Sequence, residues 1–308
     1  MNERTLHLMG TVIRLWVQHP SGEDLLDQAE ERLRTFEQRF SANSETSELM
    51  KINQQAGLAS VKVDEELFEL IKIGKEQSLI SDIALNIAIG PLVQAWRIGF
   101  ADARQPSPKE IQALLPLIDP AKIQLDEKKR SVYLNHKGMA LDLGALAKGY
   151  FADKIMAEFK KAGAEAAFID LGGNVLTHGA PPQRADGCWR IGIQNPFLPR
   201  GNYVAVVKAQ NKSVVTSGIY ERKFDWQGQS YHHIFDSQTG YPIQTDLASL
   251  TIVTKESLDG ELWTTRLFGK DAQDVLTELN QMEEIDGLVI TTDQRMAYSE
   301  GLSDRVEL

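Results

Sequence analysis

The stretch DLGALAKGYFADKIMAEFKKAG, residues 142–163, divides the chain into two differently organised parts. It predicts a helix that is entered through a glycine and stopped by Gly163, the residue type most common just past a helix C-terminus. Two helical patterns, at residues 22–40 and 64–80, precede it, whereas strand-like patterns dominate after it. Because strands and helices are segregated and do not alternate steadily, the sequence predicts an α+β fold.

The regions flanking this helix carry weaker signals. Residues 5–18 alternate apolar and polar, as in one half-buried strand, and residues 122–141 favour a pair of strands. Residues 41–57 are polar, rich in turn formers and too irregular for a regular element. Two helices are expected at about 256–268 and 270–281, followed by a terminal strand pair.

Composition excludes several classes of protein. The chain has 308 residues, 42% of them apolar, and a formal net charge of −10, which disfavours nucleic acid and anionic membranes as partners. A phosphate-bearing ligand would need a local device such as a metal ion, a helix N-terminus or a lysine. One cysteine, Cys188, excludes an internal disulfide framework and fits a reducing compartment. With no signal-type leader and no membrane-span candidate, we expect a cytoplasmic protein.

The segment DLGALAKGY, from Asp142 to Tyr150, is the first candidate site. A strand end that runs through Gly144 into a helix exposes backbone N–H groups and places Lys148 in the first turns. This geometry suits an anion. The alternative is an ordinary helix N-terminus with a solvated lysine, and these residues alone leave both open.

The segment HHIFDSQTGYP, residues 232–242, is the second candidate. It places an imidazole and the carboxylate of Asp236 at a rigid turn. Because neighbouring residues of a strand point to opposite faces, only one of His232 and His233 can line a given site. The alternative is a structural corner in which Asp236 binds backbone N–H groups of the turn.

The segment ESLDGELWTTRLFG, residues 256–269, is the third candidate. On a helix, Glu261 and Thr265 are four residues apart and share a face, whereas Asp259 lies on another. A carboxylate above a hydroxyl forms half of a site for a hard cation, completed by carbonyl, water or phosphate oxygens. The alternative is a solvated helix face.

Taken in order, these segments resemble the FAD:protein FMN transferases of the ApbE family nearly end to end. The resemblance is carried by short motifs at similar spacing along both chains. These are MGT (9–11), SELMKIN (47–53), GPLVQAW (90–96), DLGALAKGY, DLGGN (170–174), TSGIYER (216–222), HIFDSQTGYP and the helix bearing Glu261 and Thr265.

The resemblance implies a single transferase domain over residues 1–308, with mixed or antiparallel sheets flanked by helices and FAD in a cleft between two lobes. It implies Mg²⁺ on the FAD pyrophosphate, held by the backbone carbonyl of Ala145 and by Glu261 and Thr265. The catalytic histidine of the family matches His233, with Asp236 at the adjoining corner. The positions that match flavin contacts are Met9, Asn43, Ala84, Leu85, Asn86, Asp142, Lys148 and Phe235.

The reaction implied by the resemblance is transfer of FMN from FAD to a Ser or Thr hydroxyl of a target flavoprotein, with release of AMP. The same residues also suit an FAD pyrophosphatase, in which water replaces the protein hydroxyl. A non-catalytic FAD-binding protein is the alternative from another class.

Three residues depart from the family pattern. Glu261 stands where the family usually has aspartate, and its extra methylene moves the carboxylate outward. Ser237 replaces the proline that usually follows Asp236, which predicts a looser turn. Asn86 replaces an aspartate near the flavin.

Overall fold

The computed structural model describes residues 2–80 and 84–308. The chain divides into two compact units that are each built from separate segments. The first unit comprises Met1–Thr35, Lys148–Gly218 and Thr245–Leu308, and the second comprises Phe36–Ala147 and Ile219–Gln244.

An antiparallel sheet of eight strands forms the centre of the first unit. In spatial order its strands are β1 (Asn2–Leu8), β2 (Thr11–Gln18), β6 (Ala166–Leu171), β7 (Asn174–His178), β10 (Ser213–Gly218), β13 (Leu247–Thr254), β14 (Asp286–Thr291) and β15 (Met296–Tyr298). Every residue of β13 is buried. A strand buried on both faces must be covered on both sides of the sheet.

A second, three-stranded sheet covers one face. It consists of β8 (Trp189–Gln194), β9 (Tyr203–Ala209) and β16 (Val306–Glu307), with β9 in the middle. The core between the two sheets includes Ile193 and Val207 from the small sheet and Val214 from β10. This apolar layer is one hydrophobic core of the first unit.

Helices lie along the other face of the large sheet. The helices wholly or mostly in the first unit are α1 (Gly22–Phe40), α6 (Ala147–Ala162), α7 (Ser257–Leu267) and α8 (Ala272–Leu279). Helix α7 packs on β10 and β13, and α8 packs on β14. Val215, the neighbour of Val214 on β10, contacts α7 at Gly260. Because successive side chains of a strand point to opposite faces, β10 directs Val215 toward α7 and Val214 toward the three-stranded sheet.

The second unit contains short helices and two small sheets. Its helices are α2 (Glu48–Gln54), α3 (Glu65–Ser78), α4 (Gly90–Trp96) and α5 (Pro108–Leu114), and its strands are β3 (Val61–Lys62), β4 (Ile123–Asp126), β5 (Ser131–Leu134), β11 (Lys223–Trp226) and β12 (Gln229–His232). Strand β5 lies between β3 and β4, whereas β11 and β12 form a separate hairpin. Trp96 is fully buried, and its ring lies 5.2 Å from Tyr231 and 6.0 Å from Phe235.

The α+β prediction is confirmed, and the ladders between the named strands of the described residues are antiparallel. The single strand predicted at residues 5–18 is wrong. Met9 and Gly10, with φ of 54° and 71°, form a two-residue turn that splits it into the β1–β2 hairpin. The irregular assignment of residues 41–57 is wrong for Glu48–Gln54, which form α2 after Ser47 caps it by accepting from the Met50 N–H.

Within residues 2–80 and 84–308, no helix has both the length and the apolar character needed to cross a bilayer.

Candidate active site

The entrance to α6 is a tight, partly exposed turn. The Gly144 N–H donates to Asp142 Oδ1 over 2.8 Å, and the Ala147 N–H donates to the Leu143 carbonyl over 2.9 Å. Ala145 is exposed between them. Its carbonyl lies on a bend outside the regular helix, where a ligand can approach backbone oxygen.

Asp142 is held in an environment that disfavours its charge. Burial raises the pKa of the Asp142 carboxyl, against the opposing effects of the Gly144 N–H and the Arg222 guanidinium. The backbone of Arg222 also reaches His233, since the Arg222 carbonyl lies 3.3 Å from His233 Nδ1. Within the second unit, Arg222 therefore connects two residues predicted to contact the substrate.

The two adjacent histidines make different contacts, as alternation predicted. His232 is 9% exposed and its Nε2 lies 2.9 Å from the Ile243 carbonyl. Burial lowers its pKa, and the Ile243 contact opposes that change. His233 is half-buried and lies just beyond the end of β12. A neutral His233 that donates from Nδ1 to the Arg222 carbonyl carries its lone pair on Nε2, the atom able to accept a proton.

Asp236 builds the corner that follows His233. Its Oδ1 accepts from the Gln238 N–H over 2.8 Å, and its Oδ2 accepts from the Thr239 hydroxyl over 2.9 Å. Its backbone N–H donates to the Tyr241 carbonyl over 2.9 Å. Both carboxylate oxygens thus serve the turn, as in the structural corner considered from sequence, and a catalytic role for Asp236 stays a prediction.

Asn86 and Ser237 contact each other through their side chains. The Asn86 amide donates to the Ile118 carbonyl over 2.8 Å and to Ser237 Oγ at 3.3 Å. Asn86 Oδ1 accepts from the Ala88 N–H over 2.8 Å. The serine therefore gives the turn an anchor on the Asn86 loop, whereas the sequence predicted a looser turn.

The other predicted flavin positions of the second unit differ in exposure. Phe235 and Leu85 are 5% and 2% exposed and belong to the core. Ala84 is half-buried, and Asn43 is exposed in the loop before α2. Asn43 and Ala84 therefore have surface that a ligand could contact, whereas Phe235 and Leu85 have almost none.

In the first unit, Glu261 is a buried charged residue of the candidate site. It is only 4% exposed, and its Oε1 accepts from the Asn174 amide over 2.9 Å. The Lys148 ammonium lies 3.7 Å from the same oxygen. Burying a carboxylate is unfavourable unless it is paired and hydrogen-bonded, and both partners here act on Oε1. The neighbouring acid Asp259 is exposed, which supports the preference for Glu261.

The junction of α6 and α7 brings Lys148 to Glu261. A methyl group on Gly149 would lie 2.6 Å from the Ser257 carbonyl oxygen, so only glycine permits this approach. Asp153, one turn along α6, accepts the N–H groups of Ser257 and Leu258 over 2.7 and 2.8 Å. Burial raises the Asp153 pKa to about 7, against these two hydrogen bonds.

Met9 and the DLGG motif occupy neighbouring turns at one end of the large sheet. Strands β2 and β6 pair Ile13 with Leu171 and Arg14 with Asp170. Asp170 Oδ1 accepts from the Gly173 N–H over 2.8 Å, and Lys148 lies within its electrostatic reach. The half-buried Met9, in the β1–β2 turn, therefore shares this end of the sheet with the Lys148–Glu261 pair.

The side chains of α7 fit a hard divalent cation. Glu261 and Thr265 offer carboxylate and hydroxyl oxygen from successive turns, and Glu261 Oε2 accepts no hydrogen bond from the described residues. In residues 2–80 and 84–308, no three His, Cys, Asp or Glu side chains could together hold a metal. The oxygen donors present match a cation completed by carbonyl, water and phosphate oxygens.

Sequence reasoning missed three polar residues here, namely Asn174, Ser257 and Asp153. Asn174 and Ser257 have no exposed surface. A signal existed for Asn174, because it is an amide that directly follows paired glycines and precedes the apolar pair Val175 and Leu176. Asp153 gave no such signal, since an acidic residue on a helix usually lies on a solvated face.

The comparisons with known proteins cover almost the whole chain. The sequence profile of the ApbE family matches residues 9–289. An FAD:protein FMN transferase of Klebsiella pneumoniae (strain 342) is 39% identical over 292 residues, which covers 95% of this chain and 90% of that relative. One from Treponema pallidum (strain Nichols) is 34% identical over 98% of this chain and 87% of its own length. The crystal structure of the ApbE protein from Thermotoga maritima matches with a TM-score of 0.85, 28% identity and 97% coverage of each chain.

Proposed function

The chain belongs to the ApbE family, and from that premise we propose that it is an FAD:protein FMN transferase. The enzyme moves the FMN moiety of FAD onto a Ser or Thr hydroxyl of a target flavoprotein. The hydroxyl oxygen forms a bond to the FMN-side phosphorus, the bond from that phosphorus to the bridging oxygen breaks, and AMP leaves with that oxygen.

The observation that carries the proposal is the buried pair of Glu261 and Lys148. Because this carboxylate is nearly inaccessible and has a lysine 3.7 Å away, it does not belong to a solvated helix face. A paired buried carboxylate of this kind suits a divalent cation bound to a diphosphate. Lys148 also supplies positive potential for the pyrophosphate in a chain whose net charge is −10.

The residues assigned to Mg²⁺ are Glu261, Thr265 and the carbonyl of Ala145. When bound, Mg²⁺ neutralises charge that develops on the pyrophosphate as AMP departs. Glu261 would supply the anionic ligand through Oε2, and Thr265 a neutral oxygen one helical turn away. The buried setting of Glu261 limits competition from water.

His233 is assigned the role of general base. Its Nδ1 contact with the Arg222 carbonyl, at 3.3 Å, supports the tautomer in which Nε2 accepts the proton of the acceptor hydroxyl. General-base catalysis is typically worth about 10²–10⁴-fold. Asp236 supports this role by holding the corner that follows His233.

The residues assigned to FAD are Met9, Asn43, Ala84, Leu85, Asn86, Asp142, Lys148 and Phe235. Because the Asn86 side chain is committed to Ile118, Ala88 and Ser237, we assign it to shaping the flavin wall. We propose that residues 1–308 work as one transferase domain and that it acts in the cytoplasm, the latter supported by the single cysteine.

The test is to incubate the protein with FAD, MgCl₂ and a panel of purified flavoproteins that carry a Ser or Thr flavinylation motif. Denaturing gels viewed under ultraviolet light should show a fluorescent acceptor band. The band should be lost with Glu261→Ala and strongly weakened with His233→Ala. A matched control is Thr177→Val, a buried threonine of β7 that bonds the Lys212 carbonyl. Undiminished bands with both site variants would refute the assignment, and free FMN without a labelled acceptor would indicate a pyrophosphatase.

A further inference from the structure

Behind Glu261 lies a chain of buried side-chain hydrogen bonds that the proposed reaction does not use. Ser213 Oγ lies 3.0 Å from Ser257 Oγ, which donates to Asn174 Oδ1 over 2.6 Å. The Asn174 amide then donates to Glu261 Oε1 over 2.9 Å. Ser213, Ser257 and Asn174 are each fully buried.

The chemistry of this chain fixes the direction of the Asn174 amide. If the amide were reversed, its oxygen would face the Glu261 carboxylate and two acceptors would meet. With Ser257 donating to Oδ1, Nδ2 must point at Glu261, as it does. The Glu261 carboxylate, which can only accept, therefore fixes the amide with Nδ2 toward Oε1, and the Ser257 hydroxyl satisfies the amide oxygen at the other end.

The carboxylate is consequently held at one end. Oε1 is engaged by Asn174 and Lys148, whereas no described residue donates a hydrogen bond to Oε2. A ligand whose outer partner is fixed in this way keeps its orientation when the metal is absent, so less order must be imposed on binding.

We propose that Asn174 is a positioning residue that orients Glu261 for the divalent cation, and that Ser257 in turn orients Asn174. The proposal rests on the proposed function, because Glu261 acquires a metal only there. The Asn174 amide restrains the terminal torsion of the Glu261 side chain, which has one more rotatable bond than an aspartate.

The direct test measures Mn²⁺ affinity, which is independent of turnover. MnCl₂ is titrated into the protein with FAD present and acceptor protein absent, and the unbound ion is followed by electron paramagnetic resonance. Loss of the hydrogen-bond partner of a metal ligand typically weakens metal binding about 10–100-fold, so Asn174→Ala should raise the Mn²⁺ Kd by that factor. Ser257→Ala should also raise the Mn²⁺ Kd, by a smaller factor than Asn174→Ala. Thr177→Val serves as the control and should leave it unchanged.

A double-mutant cycle separates positioning from a general structural effect. In Glu261→Asp the carboxylate is one methylene shorter and moves away from the Asn174 amide. If Asn174 acts through Glu261, adding Asn174→Ala to Glu261→Asp should change the Kd by about twofold or less, far below its effect in the wild type. A purely structural role predicts the same factor in both backgrounds.

Three results would overturn the inference. The first is an Mn²⁺ Kd for Asn174→Ala within about twofold of the wild type while Glu261→Ala abolishes binding. The second is an Asn174→Ala substitution that raises the Mn²⁺ Kd by the same factor in the wild type and in Glu261→Asp. The third is unchanged Mn²⁺ affinity in Glu261→Ala, which would also remove the metal assignment of the proposed function. If Asn174→Ala fails to fold, Ser257→Ala alone decides, and an unchanged Kd there refutes the relay.

Discussion

Replacing Asp153 with asparagine should remove a large part of the pH dependence of stability. Asp153 is half-buried and accepts the N–H groups of Ser257 and Leu258 at the start of α7. Burial raises its pKa from 3.8 to about 7 in the folded protein. The unfolded chain thus releases this proton near pH 4, whereas the folded protein keeps it until about pH 7.

The direction in which stability changes with pH follows from the number of protons that each state binds. Between these two pKa values the folded state binds more protons than the unfolded state, so stability falls as pH rises. The stabilisation is fully present below pH 3.8 and is lost as the pH passes through about 7. Because a tenfold change in a proton-binding constant is worth about 1.4 kcal/mol, the loss between pH 5 and pH 8 should be roughly 2–3 kcal/mol.

The assay is urea unfolding followed by circular dichroism at several pH values from 5 to 8. Burial lowers the pKa of His232 below 6.5, and a lowered histidine pKa contributes a slope of the opposite sign. The decisive quantity is therefore the difference in unfolding free energy between wild type and Asp153→Asn. It should change by about 2–3 kcal/mol across the range in favour of the variant at high pH. A difference that is constant with pH would refute this account of Asp153.

Two further substitutions test the local packing. Asn86→Asp replaces the amide that donates to the Ile118 carbonyl with a carboxylate oxygen that can only accept. The free energy of unfolding, measured in urea, should fall by about 1–3 kcal/mol. Unchanged stability would contradict the role given to that amide. Gly149→Ala places a methyl group 2.6 Å from the Ser257 carbonyl oxygen, which should cost about 1–3 kcal/mol in thermal unfolding; a variant as stable as the wild type would show that α6 and α7 can separate without loss.

Much of the fold follows from local pattern. Helix α1 occupies residues 22–40 as its apolar spacing predicts, and the strand pair expected within residues 122–141 is β4 and β5. Strand β7 escaped prediction because NVLTH is short and buried throughout most of its length, so it shows no alternation. Helix α2 escaped because polar residues hide its two buried positions, Leu49 and Ile52.

The residues of the candidate site also differ in whether the sequence alone could indicate them. Glu261 and Thr265 were found because four-residue spacing on a helix is visible in sequence. The partners of Glu261 were not, since Lys148 and Asn174 lie 113 and 87 positions away along the chain. The corner built by Asp236 was among the sequence alternatives, whereas the contact of Ser237 with Asn86 was not, because spacing does not show which distant side chains meet.

Simultaneous quantification of AMP, free FMN and protein-bound FMN tests the central claim most directly. Wild-type protein with FAD, MgCl₂ and a flavinylation-motif acceptor should yield AMP and protein-bound FMN in equal amounts, with little free FMN. Glu261→Ala should yield neither product. Equal amounts of AMP and free FMN with an unlabelled acceptor, or full transfer by Glu261→Ala, would contradict the account.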